Sequence, residues 1–103
     1  MIESREMRSV YCDTMIALAK ENPAIVDLEA DLTAAHGMKP FQTAYPDRTF
    51  NVGVAEANMV GVAAGLSACG KIPFVHSFAT FSSRRCFDQT AISVCYAGLN
   101  VKI

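Results

Sequence analysis

The stretch Phe50-Asn-Val-Gly-Val-Ala-Glu-Ala-Asn-Met-Val-Gly-Val-Ala-Ala-Gly-Leu-Ser-Ala-Cys-Gly70 predicts a short strand, a glycine turn and a helix. Small and apolar residues occupy every face of the predicted helix, and a helix that is apolar all round is typical of a buried position. Gly70 predicts the end of the helix, because glycine readily adopts the left-handed conformation that closes helices. Glu56 is the one carboxylate of the stretch.

Two interpretations of Glu56 stay open from the residues alone. A glutamate in the first turn of a helix gains from the helix dipole, which favours an ordinary surface position. The apolar residues on all sides favour instead a buried carboxylate with a chemical task, because carboxylates are rarely buried without one.

The composition indicates one small globular domain. The chain has 103 residues, of which 51% are hydrophobic and 18% charged, and this excludes a disordered chain. Nine basic and ten acidic residues, with no basic stripe, argue against nucleic-acid binding. No signal-peptide pattern or membrane-spanning run is present. Cys12, Cys69, Cys86 and Cys95 lack the spacing of a zinc site, which predicts reduced, buried thiols in a cytoplasmic protein.

Helices and strands alternate along the chain. The predicted elements are a helix at 4–20, a strand at 24–28, a short helix at 40–45, strands at 48–52 and 72–76, a helix at 82–97 and a strand beginning at 100. Ser4 is the expected N-cap of the first helix. This alternation predicts an α/β fold, a parallel sheet with helices on both faces. No helix follows the last strand, so the fold is expected to be incomplete at its C-terminus.

The carboxyl ends of the predicted strands define a candidate site. Ligands of such folds bind beyond these ends of the strands. Here the strands lead into Asp31, the turn at 53–56 and the loop at 78–84. Three segments that are distant in sequence are therefore expected to meet at one edge of the sheet.

Three stretches resemble the C-terminal section of transketolases, the thiamine-diphosphate pyrimidine-binding domain: Glu29-Ala-Asp-Leu-Thr33, residues 50–65 and residues 70–89. The resemblance implies that residues 1–103 form part of this domain, in an enzyme that moves a two-carbon ketol unit between sugar phosphates. Deoxyxylulose-phosphate synthases and the β subunits of 2-oxoacid dehydrogenases share the domain and are alternative functions. A truncated domain that serves only as an interaction module is the non-enzyme alternative.

The resemblance also implies roles for residues at the cofactor. Glu56 corresponds to the glutamate that hydrogen-bonds N1′ of the aminopyrimidine, where a carboxyl whose pKa is raised by burial would exchange a proton. Phe81 corresponds to the aromatic residue that stacks on the ring, and Phe78 is expected to line the same pocket. Phe87 is interpreted as core packing. Asp31 corresponds to an aspartate near the thiazolium ring, with a loop-capping role as its alternative.

Two arginines correspond to substrate-binding positions of the family. Arg8 matches an arginine that binds the sugar phosphate, although Ala34 and Ala35 stand where transketolases use a phosphate-binding serine. Arg84 resembles an arginine of the deoxyxylulose-phosphate branch and would distinguish the two activities. His36 and His76, which belong to no motif, are interpreted as structural or surface residues.

The diphosphate and magnesium motif of the family is not in this sequence. The resemblance therefore implies that magnesium is held by a partner, the diphosphate-binding N-terminal section, and that this chain itself binds no metal. The chain alone is expected to be inactive and to work in a homo- or hetero-oligomer. The Gly61/Gly65 face of the central helix is expected to pack against another subunit or domain.

Overall fold

The computed structural model of the protein describes residues 4–103 and contains a parallel sheet. Within these residues the sheet has three strands: β1 (Ile25–Glu29), β2 (Thr49–Asn51) and β3 (Ile72–His76). The order is β2-β1-β3, and both neighbours run parallel to β1. The chain returns to β3 near its end, through one parallel bridge between Phe74 and Lys102. The predicted α/β fold with a parallel sheet is therefore confirmed.

Helices cover both faces of the sheet because side chains alternate along β1. Ile25 faces α1 (Met7–Glu21) and α2 (Lys39–Ala44), in a cluster with Met15 and Phe41. Val26 and Leu28 face α3 (Glu56–Ala68), in a second cluster with Met59 and Ala63. All five residues of β1 are buried, as is typical of the central strand of a parallel sheet.

The chain after β3 folds into an irregular helical region rather than the regular helix predicted at 82–97. Two π-helical turns, Phe81–Arg85 and Thr90–Tyr96, flank the short α4 (Phe87–Gln89). Cys86 and Val94 of this region pack against Val60 and Ala64 of α3. π turns are rare and concentrate at functional sites, so the turn Phe81–Arg85 indicates that a functional site lies in this region.

Several predicted boundaries were wrong by one to three residues. The first helix begins at Met7 with Glu6 at the N-cap position, so Ser4 does not cap it. β1 starts one residue later than predicted and includes Glu29. β2 is shorter than the predicted 48–52, because a 3₁₀ turn, Pro46–Arg48, precedes it.

The predicted burial of α3 is correct for two of its faces and wrong for the third. Met59 and Ala63 meet the sheet, and Ala64 meets the helical region, but Gly61 and Gly65 are exposed in this chain. A Cβ atom at either position would meet no other part of the chain within 4 Å, so this face is open. The contact of this face with another subunit stays a prediction.

The cysteines divide into two kinds, although all four were predicted to be buried. Cys12 and Cys86 are buried, whereas Cys69 and Cys95 are exposed, and all four are free thiols. Among residues 4–103, no helix is both long and apolar enough to cross a membrane.

Gly70 closes α3 as predicted, and this generates a test of the fold. Its φ of 87° lies in the left-handed region. The Gly70 N–H donates to Ser67 O at 3.0 Å, and the Lys71 N–H donates to Leu66 O at 3.0 Å, which is the pattern of a Schellman motif.

We expect Gly70→Ala to lower the free energy of unfolding by about 1 kcal/mol, because a Cβ is unfavourable in this conformation. Gly70→Asn should cost less, since asparagine tolerates positive φ better than alanine. Urea denaturation of the two variants and the wild type measures the effect. Equal stability of Gly70→Ala and the wild type would contradict the assigned helix end.

Candidate functional site

Glu56 is the first residue of α3 and is buried, with 1% of its surface exposed. Both of its carboxylate oxygens are hydrogen-bonded. The Ser77 hydroxyl, just after β3, donates to Oε1 at 2.8 Å. Arg85 Nη1, in the first π turn, donates to Oε2 at 3.0 Å. The surface interpretation of Glu56 is therefore wrong and its predicted burial is confirmed, whereas a chemical task for this carboxylate stays a prediction.

Arg85 joins Glu56 to an aromatic ring. The Arg85 guanidinium carbon lies 3.8 Å from the centroid of the Phe81 ring, in cation–π contact. The same guanidinium pairs with Glu56, although 45% of the Arg85 side chain is exposed. One flat, N–H-bearing group thus stacks on Phe81 and donates to Glu56 at the same time.

The Glu56 pKa differs from the raised value expected from burial. Burial does raise the pKa of this carboxyl. Hydrogen bonds from Ser77, from the Glu56 backbone N–H and from Arg85, with the charge of Arg85, outweigh burial and bring the pKa below its usual value. In this arrangement Glu56 is ionised at neutral pH.

The aromatic residues predicted at the site separate into two groups. Phe78 is half exposed, and its ring lies 6.4 Å from Phe81 and 5.7 Å from the His36 ring. Phe78 and Phe81 therefore form one aromatic wall beside Glu56. Phe87 is 64% exposed, so its expected packing in the core is wrong.

Asp31 lies at the carboxyl end of β1 in an unusual backbone conformation. Its φ of 65° makes it the one non-glycine residue with positive φ among residues 4–103. Asn51 holds it in place: the amide Nδ2 donates to Asp31 Oδ1 at 3.1 Å, and Oδ1 of Asn51 accepts from the Asp31 N–H at 3.0 Å. Such conformations concentrate at functional sites.

The two arginines predicted to bind substrate are both exposed. Arg8 reaches from α1 to the loop after β1, where its Nη1 donates to Ala35 O at 3.0 Å. It also pairs with Glu6 at 2.8 Å. Arg84 is followed by Arg85, the residue that contacts both Glu56 and Phe81. Sequence reasoning missed Arg85 because neighbouring arginines in a helix differ only in the direction of their side chains.

Sequence reasoning also missed a set of five polar residues, which we call the buried network although Tyr11, at its edge, is 37% exposed: Tyr11, Asp27, Glu29, His36 and His76. His76 Nδ1 lies 2.8 Å from Asp27 Oδ1, and its Nε2 lies 2.7 Å from the Tyr11 hydroxyl. His36 Nδ1 lies 2.9 Å from Glu29 Oε2. Asp27 and Glu29 are fully buried and both histidines nearly so, which excludes a surface role for His36 and His76.

The sequence did contain a signal for this network. Asp27 and Glu29 alternate along a segment whose other residues predict a buried strand, so both carboxylates had to lie on one buried face. Their histidine partners come from a loop and from another strand, which no local pattern connects to β1.

Burial shifts the pKa of three members of the network. It raises the Glu29 pKa to about 8, with the neighbouring Asp27 charge adding to the effect. It raises the Tyr11 pKa to about 12, again with help from Asp27 and Glu29. It lowers the His36 pKa, and the charge of His76 lowers it further. Glu29 is therefore largely protonated at neutral pH.

The geometry agrees with the family that the sequence suggested. The family model "Transketolase, pyrimidine binding domain" matches residues 3–103. This chain belongs to that family. Its fold is the transketolase pyrimidine-domain fold, and domains of this kind in transketolases and deoxyxylulose-phosphate synthases are thiamine-diphosphate dependent.

Similar proteins of this family are longer than the chain. A 6-deoxy-6-sulfo-D-fructose transketolase subunit from Clostridium sp. (strain MSTE9) is 54% identical over 102 residues, 99% of this chain and 32% of that subunit. A 1-deoxy-D-xylulose-5-phosphate synthase from Desulfotalea psychrophila is 40% identical over 95 residues, 92% of this chain and 15% of the synthase. The chain thus spans about a third or less of these relatives.

A solved structure shows the same fold. It is named a split-gene transketolase, inactive β4 tetramer, and it is 48% identical to this chain. The TM-score is 0.82 over 91% of this chain and 31% of that one. The transketolase pyrimidine-domain fold is therefore confirmed by a solved relative.

The raised pKa of Glu29 predicts how stability depends on pH. Between about 4.5 and 8 the folded protein holds a proton on Glu29 that the unfolded chain has lost, so the free energy of unfolding falls as pH rises. The lowered pKa of His36 acts in the opposite direction, with an effect that fades as the pH rises above its ordinary value of 6.5. In the window from pH 6.5 to 8 the effect of Glu29 is therefore the larger of the two.

In that window we expect the free energy of unfolding to fall by up to about 1.4 kcal/mol per pH unit. Glu29→Gln should remove most of this slope, because glutamine does not titrate. Glu21→Gln, at an exposed position in α1, should keep it. Urea denaturation in the presence of a chelator gives the slopes, and identical slopes in wild type and Glu29→Gln would show that Glu29 titrates normally.

Proposed function

We propose that this chain provides the pyrimidine-binding half of a thiamine-diphosphate-dependent transketolase, with residues 1–103 forming part of that domain. The observation that supports this most is the buried Glu56 carboxylate, which Arg85 links to the Phe81 ring. The activity would be transfer of a two-carbon ketol unit between sugar phosphates. A diphosphate-binding N-terminal section would hold magnesium and the diphosphate group and complete the site.

The contacts of Arg85 support the fit of an aminopyrimidine. The guanidinium is planar and carries N–H groups, and it stacks on Phe81 while donating to Glu56. An aminopyrimidine ring is also planar and presents a ring nitrogen at its edge. Glu56 and Phe81 would bind its edge and face, Phe78 would extend the aromatic wall, and Asp31 would lie toward the thiazolium ring.

When bound, thiamine diphosphate supplies an electron sink for carbon–carbon bond cleavage and formation. The role of Glu56 would be to hold and exchange a proton at N1′ of the pyrimidine. The Ser77 hydroxyl orients the carboxyl group, because it is hydrogen-bonded to Oε1. The apolar residues of α3 would keep water away from the proton that Glu56 holds.

Arg85 must leave Glu56 and Phe81 before a pyrimidine ring can contact both of them. Its departure removes the positive charge that lowers the Glu56 pKa, while the burial that raises this pKa remains. The pKa of Glu56 would then rise toward the range in which a carboxyl exchanges protons at neutral pH. Arg85 would thus add to the effect of Ser77 and the backbone N–H in keeping Glu56 ionised until the cofactor binds.

Arg8 is the residue proposed to bind the phosphate of the substrate. It lies near the carboxyl ends of the strands and is joined to the loop after β1 through Ala35.

The resemblance to the synthase of Desulfotalea psychrophila favours a second candidate activity, 1-deoxy-D-xylulose-5-phosphate synthesis. Arg84, which is exposed on the first π turn, would contribute to substrate binding in that case.

The proposed partners follow from the relatives and from the exposed face of α3. One relative is named a transketolase subunit and another a tetramer of a split-gene transketolase. We propose that this chain also forms a homo- or hetero-oligomer with its diphosphate-binding section, in the cytoplasm. Gly61 and Gly65 would lie at such an interface, because they allow close approach of another backbone. Failure to bind that section would favour the interaction-module alternative.

The first test concerns the proton held by Glu56. In the complete protein, reconstituted with its diphosphate-binding section, thiamine diphosphate and magnesium, we expect Glu56→Gln to slow C2–H exchange of the cofactor roughly 10²–10⁴-fold. Glutamine keeps the size of the side chain but cannot exchange this proton. NMR of the bound cofactor measures the rate, and Glu21→Gln serves as an exposed control. An unchanged rate in Glu56→Gln would contradict the proposed role.

The second test concerns Arg85. We expect Arg85→Ala to raise the pKa of Glu56, because a buried carboxylate loses its cation and one hydrogen bond while those from Ser77 and the backbone remain. The same change should tighten binding of thiamine diphosphate about 3- to 10-fold, since the competing cation–π and ionic contacts are gone. Carboxyl ¹³C NMR and calorimetry provide the two measurements. Arg84→Ala is the matched control, and weaker binding by Arg85→Ala would show that Arg85 holds the cofactor itself.

A further inference from the structure

Two carboxylates and one imidazole converge on the α1 side of the sheet. Asp27 and Glu29 are two residues apart on β1 and therefore point to the same face. His76 lies directly beside Glu29, because the register of the parallel strands pairs these two residues. One ligand atom from each of the three lies within 4.8 Å of the other two. Strand geometry alone thus brings the three groups together.

Two oxygens of this cluster have no hydrogen-bond partner among residues 4–103. They are Oδ2 of Asp27 and Oε1 of Glu29, and both side chains are fully buried. A buried carboxylate oxygen without a partner is costly, because it has given up its contacts with water. Glu29 Oε1 points toward the centre of the cluster, since it lies 3.8 Å from His76 Nδ1.

We propose that Asp27, Glu29 and His76 bind one divalent first-row transition-metal ion. The site is separate from the magnesium of the diphosphate-binding section, and it does not depend on the proposed transketolase activity. Two carboxylates would balance the charge of the ion, and the imidazole would provide a nitrogen ligand. This mixture of oxygen and nitrogen ligands suits Mn²⁺, Co²⁺ or Zn²⁺ better than Mg²⁺, which prefers oxygen alone.

The distances fit a single ion after small side-chain movements. Ligand bonds of about 2.0–2.2 Å place neighbouring ligand atoms roughly 3–3.5 Å apart. The observed distances from His76 Nδ1 fall on either side of this range: 2.8 Å to Asp27 Oδ1 and 3.8 Å to Glu29 Oε1. Remaining coordination positions would be filled by water.

Further residues orient the ligands, as is usual around metal sites. His36 Nδ1 contacts Oε2 of Glu29 at 2.9 Å, which leaves Oε1 facing the cluster. The Tyr11 hydroxyl contacts Nε2 of His76 at 2.7 Å. On metal binding, Glu29 would release the proton that it carries at neutral pH, and Nδ1 of His76 would release any proton it carries. Nε2–H of His76 would donate to the Tyr11 oxygen. Glu29 and His76 are thus each held by a hydrogen bond from the side that faces away from the proposed ion.

The ion would reach the cluster from a cavity of about 880 Å³. Tyr11, His36 and His76 line this cavity, so the two histidines connect it to the buried carboxylates. Arg8 and Lys102 are the cationic residues that line it. The charge of Arg8 is paired with Glu6, and Lys102 donates to Asn100 Oδ1, so both cations are engaged away from the carboxylates.

Mn²⁺ titration of the full-length protein tests the proposal. After treatment with a chelator and its removal, loss of the electron paramagnetic resonance signal of free Mn²⁺ should show one ion bound per chain. Asp27→Asn, Glu29→Gln and His76→Gln should each weaken binding roughly 100-fold or more. Tyr11→Phe should weaken it about 10-fold, as expected of a residue that orients a ligand. Asp13→Asn, at an exposed carboxylate paired with Arg5, should leave binding unchanged.

Two results would overturn the proposal: no binding of Mn²⁺ by the folded wild-type protein, or equal binding by the wild type and the ligand variants. Co²⁺ provides a further check, because intense thiolate charge-transfer bands would place the ion on cysteines instead.

If the ligand variants fail to fold, NMR of the wild-type protein with Mn²⁺ tests the assigned ligands instead. The sequence has two histidines, and Mn²⁺ must broaden the imidazole NMR signals of His76 more strongly than those of His36. The reverse order, or no broadening of either, would contradict the assigned ligands.

Discussion

The site depends on how the charge of a buried carboxylate is neutralised. Glu56 begins an apolar helix that offers the carboxylate the Glu56 backbone N–H, so its ionised form needs further partners from elsewhere in the chain. Ser77 comes from the end of β3 and Arg85 from the first π turn. The carboxylate therefore connects the sheet, α3 and the irregular helical region. Removing Ser77 or Arg85 would leave this buried carboxylate with one hydrogen bond fewer.

A set of buried ionisable side chains lies on the other side of the same sheet. β1 alternates between Val26 and Leu28, which pack against α3, and Asp27 and Glu29, which meet histidines. One strand thus supports an apolar layer toward the candidate cofactor site and a polar network toward α1. The His36 ring, 5.7 Å from Phe78, links the network to the aromatic wall. The register of the parallel strands thus places His76 beside Glu29, and the end of β3 places Ser77 at Glu56.

Much of the fold and part of the site could be predicted from the sequence. The predicted β3 matches the observed strand, because an apolar run bounded by Gly70 and a polar loop has clear ends. The burial of Glu56 followed from the apolar residues around it. Arg85 and the buried network could not be predicted, because their contacts join residues 29 and 49 positions apart. The pKa of Glu56 was misjudged for the same reason: burial is visible in a sequence, whereas hydrogen bonds from the distant Ser77 and Arg85 are not.

The most direct test is a crystal structure of the protein together with its diphosphate-binding section, thiamine diphosphate and magnesium. The proposed function, taken with the geometry of the site, predicts that a Glu56 carboxylate oxygen lies about 3 Å from N1′ of the pyrimidine, within hydrogen-bond distance. The pyrimidine should stack on Phe81, and the Arg85 guanidinium should have left that ring. A structure in which Arg85 still joins Glu56 to Phe81, while the pyrimidine binds elsewhere, would contradict the assignment of this site.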